Sequence, residues 1–179
     1  KQLSEAYEKL SCAHQSTERL LEHISDLYHA MESFSMGEDP RHLAALLAGY
    51  ARKLTGAQAG VCCLIQDQYQ SCWETSDPGC LLSHLEYQKI DAVWRELQEG
   101  QSLVYRLPLT HSGPEAKEIV CVPLQTTGAC FGLLGYVVNQ GPKSQVNEER
   151  AINYLAELVA IILERRRADV LAVRLMVAE

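Results

Sequence analysis

Apolar side chains recur along the first part of the chain in steps of three and four: Leu3, Ala6, Leu10, Ala13, Thr17, Leu20, Ile24, Leu27, Met31 and Phe34. This is the a/d heptad pattern of a helix that buries one seam against another helix. No charge falls on the seam. Glu5, Glu8, Lys9, Glu18, Arg19 and Glu22 lie beside it, and neither Gly nor Pro occurs before Gly37. A helix over residues 1–36 would be about 54 Å long at about 1.5 Å per residue, more than one small domain can cover. The pattern therefore predicts a coiled-coil helix that pairs with the same segment of a second chain, with Leu10, Leu20, Ile24, Leu27 and Met31 carrying the dimer seam. The alternative is a helix laid along its own domain. Two alanines and Thr17 keep the seam weak, which suits a helix that shifts.

Gly37 to Pro40 interrupts this periodicity. Asp39 is placed to cap a second helix with Pro40 in its first turn. Leu43, Leu46, Leu47, Tyr50 and Leu54 would line one face of that helix, and Gly56 would end it. Strand-like runs follow at 60–65 and 69–75, linked by Gln66, Asp67 and Gln68 as a hairpin, and Asp77-Pro78-Gly79 reads as a turn. Residues 81–100 read as helical in parts, 101–107 as a short strand and 110–117 as a loop. Residues 118–124 and 130–139 read as apolar strands joined through Thr126-Thr127-Gly128. A last helix is expected from about Asn147, with Ile152, Leu155, Val159 and Ile162 as its buried stripe, running on through Arg165–Arg167 to Met176. The order is that of an α+β fold, an antiparallel sheet with flanking helices, and not of alternating βαβ units. The division expected is 1–36 for the entry helix, 38–165 for the domain and 166–179 for an exit helix.

Charge and cysteine content narrow the class. The formal net charge is -7, and the one basic run, Arg165–Arg167, is short, so no nucleic-acid partner is expected. The seven cysteines are an odd, scattered set without a signal peptide, as expected of a reduced intracellular chain. No apolar run approaches the roughly 20 residues of a membrane span. The opening at Lys1 without methionine, and the close at Glu179 inside a helical pattern, are those expected of a piece of a longer protein.

The segment Ile119-Val120-Cys121-Val122-Pro123-Leu124, then Gly128, then Phe131-Gly132-Leu133-Leu134-Gly135-Tyr136 resembles the strand pair of GAF domains. The helix from Leu43 to Gly56 and the closing segment from Asn147 to Leu158 fit the same family, so the resemblance covers about residues 38–165. The flanks are similar to those of nitrate/nitrite-type sensor histidine kinases: Leu27-Tyr28-His29-Ala30-Met31 to the upstream linker, Leu171 to Glu179 to the approach to the phosphoacceptor helix. The resemblance implies a non-catalytic signal-transducing module in the cytoplasmic portion of an inner-membrane protein. It implies a homodimer, an upstream membrane sensor, a kinase domain on the same chain, and a response regulator reached through the full-length protein. No phosphoacceptor-like histidine, Gly-rich ATP box or cyclic-nucleotide signature of the family occurs, so enzyme activity and cyclic-nucleotide binding are not expected here.

An alternative reading is a ligand- or redox-sensing GAF domain. Cys62, Cys63, Cys72 and Cys80 fall close together, with Cys121 and Cys130 later, and Cys62 or Cys63 would approach Cys72 across the hairpin. Their spacing matches no standard zinc or iron–sulfur motif, and strand cysteines commonly serve as small core residues. No cofactor is expected, with a metal, iron–sulfur or haem site as the minority reading. His14, His23 and His29 fall outside the seam, and a solvated role is favoured for them. GAF domains hold ligands between the sheet and the connecting helices, which makes Trp73, Tyr87, Trp94 and Tyr105 the implied pocket candidates, with core aromatics as the plainer reading. One GAF-fold family reduces free methionine sulfoxide, but its Gly-Val-Cys-Gly loop is missing here.

Overall fold

The computed structural model describes residues 2–33, 39–65, 71–78, 82, 96, 104–109, 117–139 and 146–177. The chain divides into two compact units, Lys1–Gly37 and Glu38–Glu179. The first is a single helix, α1 (Gln2–Ser33). Its N-terminal half presents Leu3 and Leu10 to solvent at 87% and 69% exposure, so these seam residues have no cover within the helix itself. The side chain of Leu20, and Phe34 altogether, lie outside the described residues.

The second unit opens with α2 (Pro40–Thr55), and its limits follow from local chemistry. The Asp39 carboxylate accepts a hydrogen bond from the Arg41 backbone N–H at 3.0 Å, satisfying one of the orphan donors of the first turn. Gly56 closes the helix in the left-handed conformation, φ 63°, where a side chain would be strained. Arg52 and Lys53 in the last turn complement the helix dipole. The buried face consists of Leu43, Ala44, Leu47, Ala48 and Ala51, and the three alanines let the helix approach the sheet closely. At Gly60 that approach leaves no room for a side chain: a Cβ would lie 2.1 Å from the Ala48 carbonyl oxygen.

The sheet comprises β1 (Gly60–Ile65), β2 (Ser71–Ser76), β3 (Tyr105–Leu109), β4 (Lys117–Gln125) and β5 (Cys130–Asn139), ordered β2-β1-β5-β4-β3 and antiparallel throughout. The α+β architecture read from the sequence is thus the observed one. The third strand ends at Leu109 and not at Leu107, because Pro108 sits on the outermost strand, where a missing N–H breaks no ladder. Lys117, expected in a loop, opens β4 opposite Asn139. The expected helical parts of 81–100 lie outside the described residues, apart from Leu82 and Glu96.

The last helix, α3 (Val146–Val177), begins one residue before the expected cap and has Glu148 and Glu149 in its first turn. Helices α2 and α3 touch each other and cover the same face of the sheet, α2 over β1, β2 and β5, α3 over β4 and β5. Ile152, Leu155, Val159 and Ile162 are all buried, as their helical spacing predicts, together with Ala156 and Ala160. Beyond Arg167 the helix continues with its side chains exposed, apart from the half-buried Val170. None of the described helices is long and apolar enough to cross a membrane.

Candidate functional site

Successive residues of a strand point to opposite faces, so the pairing registers sort the candidate residues into two sets. Gly60, Cys62, Leu64, Leu134 and Tyr136 face α2 and α3. On the far face, Trp73, Cys63 and Leu133 form one row across β2, β1 and β5. Val61, Gly135, Cys121 and Tyr105 form the next row, and Val137, Ile119 and Leu107 a third. These rows belong to one apolar cluster with Ala59 and with Leu82 from the segment after β2; Trp73, Leu107, Leu109 and Cys130 are half-buried at its margin. Leu82 is brought there by its backbone N–H, which donates to Asp77 Oδ2 at 2.5 Å.

Gly135 lies in the middle of this face. A Cβ there would meet Cys121 Sγ at 2.9 Å and Val61 Cγ1 at 3.0 Å, so the absence of a side chain is what lets its two neighbours close over it. Two of the proposed pocket aromatics, Trp73 and Tyr105, therefore share one face. The other two, Tyr87 and Trp94, lie outside the described residues, as does Cys80.

The remaining cysteines are divided between the faces. Cys72 stands opposite Leu64, diagonal to Cys62 on the helix side, whereas Cys63 stands opposite Trp73 on the far side. Adjacent strand residues cannot both approach Cys72, and the register selects Cys62. Burial pushes the Cys62 thiol well up, with Cys63 and Cys72 adding to the effect. Burial likewise raises Cys72 and Cys130, and pushes Cys121 from 9.0 to about 12. A thiol held protonated is neither a ready nucleophile nor a ready metal ligand. Cys130 Sγ lies 3.9 Å from the Gly132 carbonyl oxygen, and Cys12 is exposed on α1. Among the described residues no three His, Cys, Asp or Glu side chains are grouped to hold a metal ion.

A polar cluster that the sequence pattern did not single out lies on the helix side. Arg106, the neighbour of Tyr105 on β3, donates from Nη1 to Glu118 Oε1 on β4 and from Nη2 to Glu149 Oε1 in the first turn of α3. Both contacts are also ion pairs. The Tyr136 hydroxyl is buried beside them, and burial, then Glu149 and Glu148, push its pKa up against the opposing pull of Arg106. The only sequence signal was Arg106 as a polar residue alternating with Tyr105 and Leu107; nothing in the spacing indicated Glu149.

No family model matches the chain, and no curated protein matches it in sequence. Solved structures do match it. It superposes on the GAF domain of a protein described as a sensor histidine kinase from Pseudomonas syringae pv. tomato, at TM-score 0.61 and 15% identity over 94% of this chain and 99% of that one. The GAF domain of an Acinetobacter phosphoenolpyruvate-protein phosphotransferase gives TM-score 0.53 at 11% identity, covering 83% and 94% of the two chains. The chromophore-binding domain of a Stigmatella aurantiaca bacteriophytochrome gives 0.53 at 13%, covering 82% and 60%. At such identities the likeness speaks for the fold alone, and the fold of this chain is that of the GAF domains.

Proposed function

We propose that the chain is a non-catalytic signal-transducing module of a sensor histidine kinase of the nitrate/nitrite type, acting as a homodimer on the cytoplasmic side of the membrane. In this reading α1 receives a displacement from an upstream membrane sensor and α3 passes it to the kinase domain, which addresses a response regulator. The observation that carries the reading is the Arg106 link. Residues 105 and 106 leave β3 on opposite faces, one into the apolar cluster, the other onto the first turn of α3. A shift of β3 on the far face is thereby transmitted to the helix that leads out of the domain. Two packings of a dimer separated by a few kcal/mol are enough for such a relay. The test is made in the full-length protein: Arg106→Ala should alter how autophosphorylation responds to the signal while leaving its maximal rate unchanged. An unchanged response would remove the link from the mechanism.

A ligand- or redox-sensing role is the second reading, favoured by Trp73, Cys63, Cys121 and Tyr105 standing on one face. It requires a chromophore, metal or small molecule after anaerobic purification. The relay reading requires a colourless, metal-free protein, and absorption with metal analysis separates the two.

A further inference from the structure

Tyr136 is fully buried on the helix side of β5. Its row crosses the sheet through Val120 on β4 to Arg106 on β3, and Arg106 holds Glu149 in the first turn of α3. The Tyr136 hydroxyl and Glu148 Oε2 are both buried, and among the described residues neither has a hydrogen-bond partner. Glu149, Glu148, Arg106 and Glu118 are the charges that act on that hydroxyl, so it is aimed into their cluster. One bond between the two unmet atoms would satisfy both, and a hydroxyl donating to a carboxylate makes one of the stronger hydrogen bonds. Adjacent helix residues point about 100° apart. A first turn that seats Glu149 on Arg106 therefore does not also seat Glu148 on Tyr136.

We propose that the first turn of α3 has a second seat on the sheet, in which the Tyr136 hydroxyl donates to Glu148 while Arg106 releases Glu149 and keeps Glu118. The proposal rests on the relay reading given above and names the two positions between which the relay moves. The exchange is close to balanced. The side chains of Arg106 and Glu149 are 40% and 28% exposed, so both meet water when they part and lose little. The two buried atoms have no water to turn to, so they gain a full bond when they meet. Repacking of Ile152 and Leu155 opposes the move. The far end of the sheet-bound part is fixed separately, by the Thr126 hydroxyl donating to Glu164 Oε1 at 2.9 Å. The first turn can reseat about that tie.

The test is denaturant unfolding of the whole chain. In the wild-type background Tyr136→Phe should leave the folding equilibrium unchanged or favour the folded state, because it removes an unmet group. In an Arg106→Ala background the second seat fills, and Tyr136→Phe should then lower the folding equilibrium constant at least about tenfold. Glu148→Ala should do the same there, and the two losses should not add. Infrared difference spectra of the ring-labelled chain against Tyr136→Phe give a second readout: a phenol without a partner in the wild type, and one donating to a carboxylate in Arg106→Ala. An equal effect of Tyr136→Phe in both backgrounds, or a phenol already bonded in the wild type, overturns the second seat. Non-additivity with Glu149→Ala in place of Glu148→Ala overturns Glu148 as the acceptor. These measurements do not involve the kinase, so their failure leaves Arg106 as a rigid tie within the relay, whereas an unaltered kinase response in Arg106→Ala removes the relay and leaves both seats standing.

Discussion

Arg106 and Glu149 are 43 residues apart in sequence, yet their side chains meet and join the outermost strand to the first turn of α3. Glu118 on β4 shares the same guanidinium, so three elements converge on one cation.

Removing the cation should loosen that junction. The Arg106 side chain is 40% exposed, so solvent screens the contact, and Arg106→Ala is expected to cost only about 1 kcal/mol. Denaturant unfolding of Arg106→Ala, Glu149→Gln and the double variant measures the coupling. Strict additivity would show that the two side chains act independently.

Glycine-to-alanine changes should grade with what the new methyl meets. Gly60→Ala meets a backbone carbonyl at 2.1 Å and should cost about 3 kcal/mol or more. Gly135→Ala meets the Cys121 sulfur at 2.9 Å and the Val120 carbonyl oxygen and Val61 Cγ1 at 3.0 Å, none as close as the 2.1 Å contact at Gly60, and should cost about 1–2 kcal/mol. Its cost should shrink in a Cys121→Ala background, because the nearest atom is then absent.

Alkaline pH should destabilise the domain through its thiols. In the unfolded chain a thiol titrates near 9.0, whereas folded Cys121 holds its proton to about 12. Below pH 9 both states are protonated and stability does not depend on this group. Between about 9 and 12 the unfolded state alone releases the proton, so stability falls by about 1.4 kcal/mol per pH unit for this thiol. Cys62, Cys72 and Cys130 are shifted in the same direction and steepen the fall. Denaturant unfolding from pH 7 to 10 should be flat and then drop, and Cys121→Ala should reduce the slope. At pH 8 a thiol reagent should label Cys12 at once and the buried Cys62, Cys72 and Cys121 only on unfolding.

The seam of α1 should not tolerate a charge. Ile24→Lys is expected to convert a dimer to a monomer in sedimentation, because a buried ammonium without a partner opposes pairing. A variant that stays dimeric would place the contact elsewhere.

Much of the fold was legible because its signals are local. Asp39, Pro40 and Gly56 bound α2 by chemistry confined to a turn, and Ile152, Leu155, Val159 and Ile162 declare a buried face by spacing alone. Residues 118–124 and 130–139 are apolar runs bounded by turn residues, and both became strands within a residue. What the sequence left open depended on register. Cys62 and Cys63 were equivalent as partners for Cys72 until the Leu64–Cys72 pairing assigned them to opposite faces. The placement of Trp73 and Tyr105 on one face was expected only through family resemblance. The meeting of Arg106, Glu118 and Glu149 could not be read at all, since it is set by how β3 and α3 dock on the sheet.

Pro108 has a consequence beyond its own strand. It is the last but one residue of β3, on the margin of the sheet, where an unpaired row of backbone groups would otherwise invite another chain to add a strand. A proline there offers no N–H, and the guanidinium of Arg106 two residues earlier adds a charge. That margin is guarded against edge-to-edge aggregation, which leaves β2 as the outer strand without a proline guard in its own sequence.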